Sequence, residues 1–283
     1  MSNAHGAPTD MQPDLRGEAP IQGLGPAPAP TPTSQSTPAS APGARGEPKP
    51  ASPNLGVIAF GDSITNGGGE LQWGVALQSW AMWTARALGL PYSPQAVDGA
   101  TVEDVLARQI PLFERTRARP GARYDLGCLY IGTNDVRLPG FDPAAFERQH
   151  ARVLGFMRGL CDRLLTATIP LDMGRPRNPA LVESANRAIE RSAASVGALV
   201  LDLRRFGGRG VMMADHVHPT ALGQVAIAER AIEVLAADGL TPRLRPSELV
   251  SYTTTRWGRL RGDLTYAYRH LKQDARLLAR GRR

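Results

Sequence analysis

The sequence predicts an α/β protein, a three-layer α/β/α sandwich built on a parallel sheet. Short apolar runs of strand length alternate along the chain with longer segments whose apolar residues recur at helical spacing. The short runs are largely apolar on both faces, which is typical of buried parallel strands. Strands that alternate with helices of this length form a parallel sheet covered by helices on both sides.

The first strand is predicted over the apolar run 57–60, which leads straight into Gly61, Asp62 and Ser63. Gly61 permits a sharp turn, so Ser63 is expected where the strand ends. Ligands of open α/β sheets bind outside the carboxyl ends of the strands, so this position would expose Ser63 to a ligand. A serine at such a place also often caps a turn or a helix, and its position alone does not separate the two roles.

The elements that follow alternate between helix and strand. Gly89 can end the first long helix, Thr101 can cap the second, and Asp142 with Pro143 forms a cap-and-proline helix start. The predicted elements are, in order, a helix at 73–88, a short element of unspecified type near 96–97, a helix from 102 to about 113, a strand at 126–131, a helix from 143 to about 161, a strand at 164–169, a helix at 180–195, a strand at 198–203 and a helix after 219.

Composition divides the chain into three parts. Residues 1–54 are rich in Pro, Ala, Gly and Ser, so they cannot bury enough apolar surface to offset the entropy of ordering and are predicted to be disordered. Residues 55–240 have a normal size for one α/β domain with a full core. Residues 241–283 form a basic C-terminal extension with an amphipathic helix predicted at 262–281.

The net charge of +7 is concentrated in this extension. Residues 250–283 contain nine arginine or lysine residues and two aspartates, so the rest of the chain is close to neutral. A basic amphipathic helix either folds back on its domain with its charges in solvent, or binds an anionic membrane surface or an acidic partner. Nucleic acid is disfavoured as a partner because no recognised nucleic-acid motif accompanies the basic residues.

Several classes of function are disfavoured by what the sequence lacks. It has no GxGxxG after the first strand and no GxxxxGK[ST], which argues against dinucleotide and P-loop nucleotide binding. Its two cysteines, Cys128 and Cys161, are too few for a disulfide framework or a metal cluster. No apolar run is long enough to span a bilayer and no secretory signal is recognisable, so a cytoplasmic location is expected, with peripheral membrane attachment as an alternative.

Polar residues suited to acyl chemistry follow the predicted strands. A serine is a poor nucleophile at neutral pH and needs a positioned base, which His218 could supply to Ser63. Asp215 lies three residues before His218 and could reach the second imidazole nitrogen. The backbone N–H groups of Ser63 and Gly99 and the side-chain amide of Asn134 could donate hydrogen bonds to an oxyanion.

Each of these residues also has a structural interpretation. Gly99 alone is more often a turn residue, Asn134 a cap or turn residue, and His218 a loop residue before Pro219. Their joint occurrence at predicted strand ends favours one site at the carboxyl edge of the sheet.

Three of these segments resemble the sequence blocks of the SGNH hydrolases, also called the GDSL esterase/lipase family. The blocks are Gly-Asp-Ser-Ile-Thr at 61–65, Gly-Thr-Asn-Asp at 132–135 and Asp-His-Val-His-Pro at 215–219. The first has Ile64 where the family name has Leu, and the last has His216 where Gly is frequent. Gly99 lies where the second block has its glycine, but the Asn-rich form of that block is absent.

The resemblance covers residues 55 to about 237 and implies a flavodoxin-like fold with about five parallel strands. It implies Ser63 as nucleophile, His218 as base, Asp215 as its partner, and Ser63, Gly99 and Asn134 as the oxyanion hole. It also implies hydrolysis of esters, thioesters or acylated sugars and lipids without a metal or other cofactor.

Two functions of different classes are compatible with these observations. The first is a serine esterase that acts on a small acyl ester, a lipid ester or an acetylated sugar. The alternative is a catalytically silent binding module that the basic helix docks to a membrane or an acidic partner. The complete set of Ser63, Asp215 and His218 favours the esterase, because a binding module needs no triad. For the esterase, segment 250–283 is expected to be dispensable for the chemistry.

Overall fold

The computed structural model describes residues 54–71, 75–116, 121–175, 177–250 and 255–280. Apart from Asn54, the segment predicted to be disordered lies outside the described residues.

The sheet has five parallel strands in the order β2-β1-β3-β4-β5. It confirms the predicted parallel sheet, and the central strands β1, β3 and β4 are almost entirely buried, as their continuous apolar runs indicate. The strands are β1 Val57–Gly61, β2 Tyr92–Pro94, β3 Tyr124–Tyr130, β4 Cys161–Ala167 and β5 Leu199–Leu201.

The helices cover the sheet in two groups and complete the predicted three-layer sandwich, with α2 packed on α7 and α5 packed on α6. A π-helical turn at Val105–Gln109 joins α3 to α4, and short 3-10 helices lie at Asp135–Arg137 and Pro246–Leu249. The helices are α1 Ser63–Asn66, α2 Trp80–Leu88, α3 Val102–Asp104, α4 Ile110–Thr116, α5 Pro143–Leu160, α6 Pro179–Val196, α7 Ala221–Ala237 and α8 Arg256–Arg280.

Two predicted elements begin or end elsewhere. The helix predicted over 73–88 begins only at Trp80, because Ser79 caps it and the Gln224 side chain accepts a hydrogen bond from the Trp80 N–H. The short element predicted near 96–97 is a strand that lies earlier, at Tyr92–Pro94. The chain nevertheless continues alongside β1, since the N–H of Val97 donates to the Gly61 carbonyl.

Candidate active site

The side chains of Ser63, His218 and Asp215 form one hydrogen-bonded series. The Ser63 Oγ lies 2.9 Å from Nε2 of His218. The Nδ1 of the same imidazole lies 2.7 Å from Oδ2 of Asp215. The structure therefore brings together three residues that the sequence separates by up to 155 positions.

The end of β1 positions Ser63 through a tight turn. Gly61 has a φ of +147°, and a Cβ there would lie 2.3 Å from the Tyr130 carbonyl oxygen, so only glycine fits. Asp62 caps α1 by accepting a hydrogen bond from the Ile64 N–H at 2.9 Å. The capping role that the sequence leaves open for Ser63 thus belongs to Asp62, and Ser63 is the first residue of the helix.

Backbone hydrogen bonds fix the Asp215 carboxylate. Its Oδ1 accepts from the N–H groups of Val217 and His218, at 2.9 and 3.1 Å. These bonds leave Oδ2 directed at the imidazole, so the tight turn that the three-residue spacing predicts is present. The next residues open α7, which Thr220 caps.

A loop between α1 and α2 holds the serine and histidine segments against each other. Gly69 lies so close to Pro219 that a Cβ would be 2.2 Å from the proline carbonyl oxygen. The buried amide of Gln224 donates to the carbonyls of Ile64 and Gly68. This buried glutamine carries no motif, and sequence reasoning missed its positioning role.

The electrostatics suit a base paired with a carboxylate. The hydrogen bond that His218 donates to Asp215 raises the pKa of His218 above its ordinary value, against the opposing effect of burial. Burial of Asp215 opposes ionisation, but the hydrogen bonds from His218 and from two backbone N–H groups outweigh it and hold its pKa below the ordinary range. The structure thus favours a charged Asp215 beside a more basic His218.

The other predicted residues lie in loops that are tied to the end of β1. The Asn134 Nδ2 donates to the Ala100 carbonyl at 2.9 Å, which links its loop to the Gly99 turn. Asn66 donates to Asp98 in that same turn at 2.9 Å. Gly99 has a φ of +75°, a left-handed conformation that glycine adopts readily. Within the described residues, the backbone N–H groups of Ser63 and Gly99 have no acceptor.

Two buried aspartates brace these loops. Asp135 accepts from the Val102 N–H at the start of α3. Burial raises the pKa of Asp135 to about 6 and that of Asp62 to about 7. Both carboxylates thus accept hydrogen bonds from backbone N–H groups at helix starts.

His216 lies beside the site but contacts other residues. Arg175 and Arg177 donate to its ring at 3.0 and 3.1 Å, and the ring packs near His270 of α8. Burial and the two arginines lower its pKa. His216 has a φ of +55°, a left-handed conformation that is uncommon for residues other than glycine.

A cavity of about 350 Å³ opens beside the imidazole of His218. Its wall includes residues from the catalytic loops and from α8, namely Asp215, His218, Arg137, Arg175, Gln273 and Arg276. Gln273 and Arg276 of α8 thus contribute to this wall, and the expectation that segment 250–283 is dispensable for the chemistry stays a prediction. In the part of the chain that the structure describes, no group of His, Cys, Asp and Glu is arranged to hold a metal ion.

The parallel α/β fold and the hydrogen-bonded series from Ser63 through His218 to Asp215 form an arrangement typical of hydrolases. The sequence matches the family described as GDSL-like Lipase/Acylhydrolase over residues 59–226. The chain belongs to this family, and the family places it among the carboxylic ester hydrolases. The predicted resemblance to the SGNH hydrolases is therefore confirmed.

Solved structures share the fold. An acetylxylan esterase from Geobacillus stearothermophilus has a TM-score of 0.51 and 18% identity, over 65% of this chain and 95% of that chain. An alpha/beta hydrolase enzyme from the metagenome of Lake Arreo, Spain, has a TM-score of 0.50 and 20% identity, over 64% and 95% of the two chains. A search of curated protein sequences finds no significant match.

Proposed function

We propose that the protein is a serine esterase that hydrolyses a carboxylic ester through an acyl-enzyme on Ser63, with residues 55–240 as its catalytic domain. The observation that carries the proposal is the continuous hydrogen-bonded series from Ser63 through His218 to Asp215. A protein that only binds a ligand needs no such series. Small acyl esters, lipid esters and acetylated sugars are the candidate substrates, and a solved relative is named as an acetylxylan esterase.

The geometry supports the following role for each side chain. His218 takes the proton from Ser63 Oγ as the oxygen attacks the ester carbonyl carbon, and it later gives that proton to the departing alcohol. Asp215 keeps the proton on Nδ1 and stabilises the imidazolium that forms. Water then attacks the acyl-enzyme by the same route and releases the acid. The N–H groups of Ser63 and Gly99 and the amide of Asn134 stabilise the tetrahedral oxyanion.

A panel of p-nitrophenyl esters of short to long acyl chains, assayed across pH, tests this function. We expect hydrolysis whose kcat/KM falls as pH decreases, because protonated His218 cannot accept the serine proton. Asp215 raises the pKa of His218, so the midpoint of this acid limb should lie above the ordinary histidine value of about 6.5. The Asp215→Asn variant should move the midpoint to lower pH and reduce kcat.

Absence of hydrolysis across the whole panel would exclude an esterase for these substrates. An acid limb that keeps its midpoint in Asp215→Asn would show that another group is the base. The matched control is Asp98→Asn, which changes a carboxyl group that accepts a hydrogen bond from Asn66. This variant should leave the midpoint of the acid limb unchanged.

The orientation of α8 favours a second role, which is attachment to a surface. The helix turns a largely polar face, with Asp263, Tyr266 and His270, towards the domain. Its apolar residues face solvent, and Trp257, Leu264 and Leu271 are 73%, 62% and 70% exposed. This arrangement differs from the fold-back that the sequence allows as one alternative, in which the charged face would be the solvated one.

We infer that this exposed face binds an anionic lipid surface. Leu260, Tyr268 and Leu278 extend the apolar stripe, and Arg261 and Lys272 lie along one side of it. Apolar burial in the headgroup region combined with basic side chains is how interfacial helices bind membranes. In the described residues no helix is long and apolar enough to cross a bilayer. The cytoplasmic location expected from the sequence stays a prediction.

Vesicle sedimentation tests this attachment. We expect binding to vesicles rich in phosphatidylserine at low salt, weaker binding at high salt because the charges are screened, and little binding to neutral phosphatidylcholine vesicles. The double variant Leu264→Gln/Leu271→Gln should abolish binding. Leu112→Gln changes a 49% exposed leucine on α4 and is the matched control.

Wild-type protein that stays in the supernatant with anionic vesicles at low salt would overturn the lipid assignment. Binding that is unchanged in the double variant would show that the stripe does not carry it. The stripe could instead bind a second copy of the chain. In that case the wild type would be a dimer in solution that does not bind vesicles, and the double variant would have the mass of a monomer.

A further inference from the structure

The cavity beside His218 concentrates positive charge from separate parts of the fold. Arg137 follows β3 in the 3-10 helix next to Asn134, and Arg276 lies on α8. Arg175 joins them from the loop before α6, and its side chain is only 12% exposed. The one carboxylate in this wall, Asp215, is already paired with His218.

Two of these guanidinium groups lack a carboxylate partner. Arg175 forms an ion pair with Asp274 of α8. Among the residues that the structure describes, Arg137 and Arg276 take part in no ion pair. The buried Nε of Arg175 also has no hydrogen-bond partner there. Buried N–H donors are normally hydrogen-bonded, so an unpaired donor in the wall of a cavity is suited to an acceptor group on a ligand.

Other contacts hold α8 over the cavity. Arg209 pairs with Asp263 at 2.9 Å near the start of the helix. Arg269 pairs with Glu70 in the loop that follows Ser63. Together with the Arg175–Asp274 pair, these contacts place the exposed Arg276 side chain at the wall of the cavity.

Without a bound anion, the positive charge in the cavity wall makes His218 a weaker base. The charge of Arg137 opposes the rise in the pKa of His218, because it disfavours the imidazolium that forms during catalysis. A bound anion would neutralise this effect and would also relieve the repulsion among the three guanidinium groups. The cavity is therefore better suited to an anionic substrate than to a neutral one.

We propose that the ester bears an anionic group on its alcohol part, with phosphate as the best match, and that Arg137 and Arg276 bind this group. The inference rests on the proposed esterase function. It assigns the anion to the alcohol because His218, which gives its proton to the departing alcohol, lines the same cavity as the two arginines. Phosphate carries close to two negative charges at neutral pH and accepts bidentate hydrogen bonds from arginine. The cavity of about 350 Å³ is of the size that small ligands occupy.

A matched pair of soluble esters tests the proposal without a membrane. Acetylglycerol phosphate and acetylglycerol share the scissile bond, and release of acetate is measured for both. We expect kcat/KM for the phosphate ester to exceed that for the neutral ester by about tenfold or more, mainly through a lower KM, since one charge-assisted hydrogen bond of this kind is worth roughly a factor of ten. The preference should shrink as salt increases.

Variants test which residues bind the phosphate group of the substrate. Arg276→Ala and Arg137→Ala should each reduce the ratio of the two kcat/KM values about tenfold. Arg276→Glu, which reverses an exposed charge on α8, should invert the preference. Arg261→Ala removes an exposed arginine from the same helix outside the cavity wall and should leave the ratio unchanged.

Equal kcat/KM values for the two esters would overturn the proposal while leaving the esterase function in place. A preference for the phosphate ester that survives both alanine variants would overturn the assignment to these arginines. Hydrolysis of neither acetyl ester, nor of any p-nitrophenyl ester, would instead count against the proposed function itself.

Discussion

The Ser63→Ala variant is expected to lose about 10⁴-fold or more in kcat while keeping its fold. The Oγ is the only atom removed, and it lies 2.9 Å from Nε2 of His218 as a nucleophile must lie from its base. The hydroxyl supports no cap, because Asp62 caps α1, so the melting temperature should change little. His218→Ala should cost a similar factor, and the double variant should be no worse than either single one, since the two residues act as a unit.

A fluorophosphonate probe reports the same site independently. Mass spectrometry should find the label on Ser63 in the wild type and find none in Ser63→Ala. Ser195→Ala changes an exposed serine at the end of α6 and is the matched control, which should keep both labelling and activity. Labelling of a different serine, or full turnover by Ser63→Ala, would refute the acyl-enzyme on Ser63.

The parts of the site that are local in sequence could be predicted. Asp215 and His218 are three residues apart in one turn, and the apolar run of β1 ends directly at Gly61 and Ser63, so periodicity and spacing were sufficient. The parallel sheet follows from the same patterns. Its strands are stabilised by hydrophobic burial, and the sequence shows them as runs of apolar residues.

The parts that depend on tertiary contacts could not be predicted. Whether α2 begins at 73 or at Trp80 depends on Gln224, which lies 144 residues away and accepts from the Trp80 N–H. The amphipathic pattern of α8 predicts a helix but not which face meets the domain. Ion pairs with Glu70, Arg175 and Arg209 select the polar face, and no local pattern reveals those partners. Arg137 and Arg276 consequently meet in one cavity without any sequence motif.

Asn134→Ala is expected to lower kcat by about 10²–10³-fold with little change in KM, the scale for loss of one oxyanion donor. One amide hydrogen of Asn134 is fixed by the Ala100 carbonyl, which orients the group and leaves its second hydrogen to donate to the developing charge. Asn134→Asp should be at least as impaired, because a carboxylate replaces the donor with negative charge. Asn66→Ala removes an exposed amide that donates to Asp98 in the Gly99 turn, and it is the matched control for a purely structural loss. A rise in KM at unchanged kcat would make Asn134 a substrate-binding residue, and equal losses in Asn134→Ala and Asn66→Ala would reduce its role to holding the Gly99 turn.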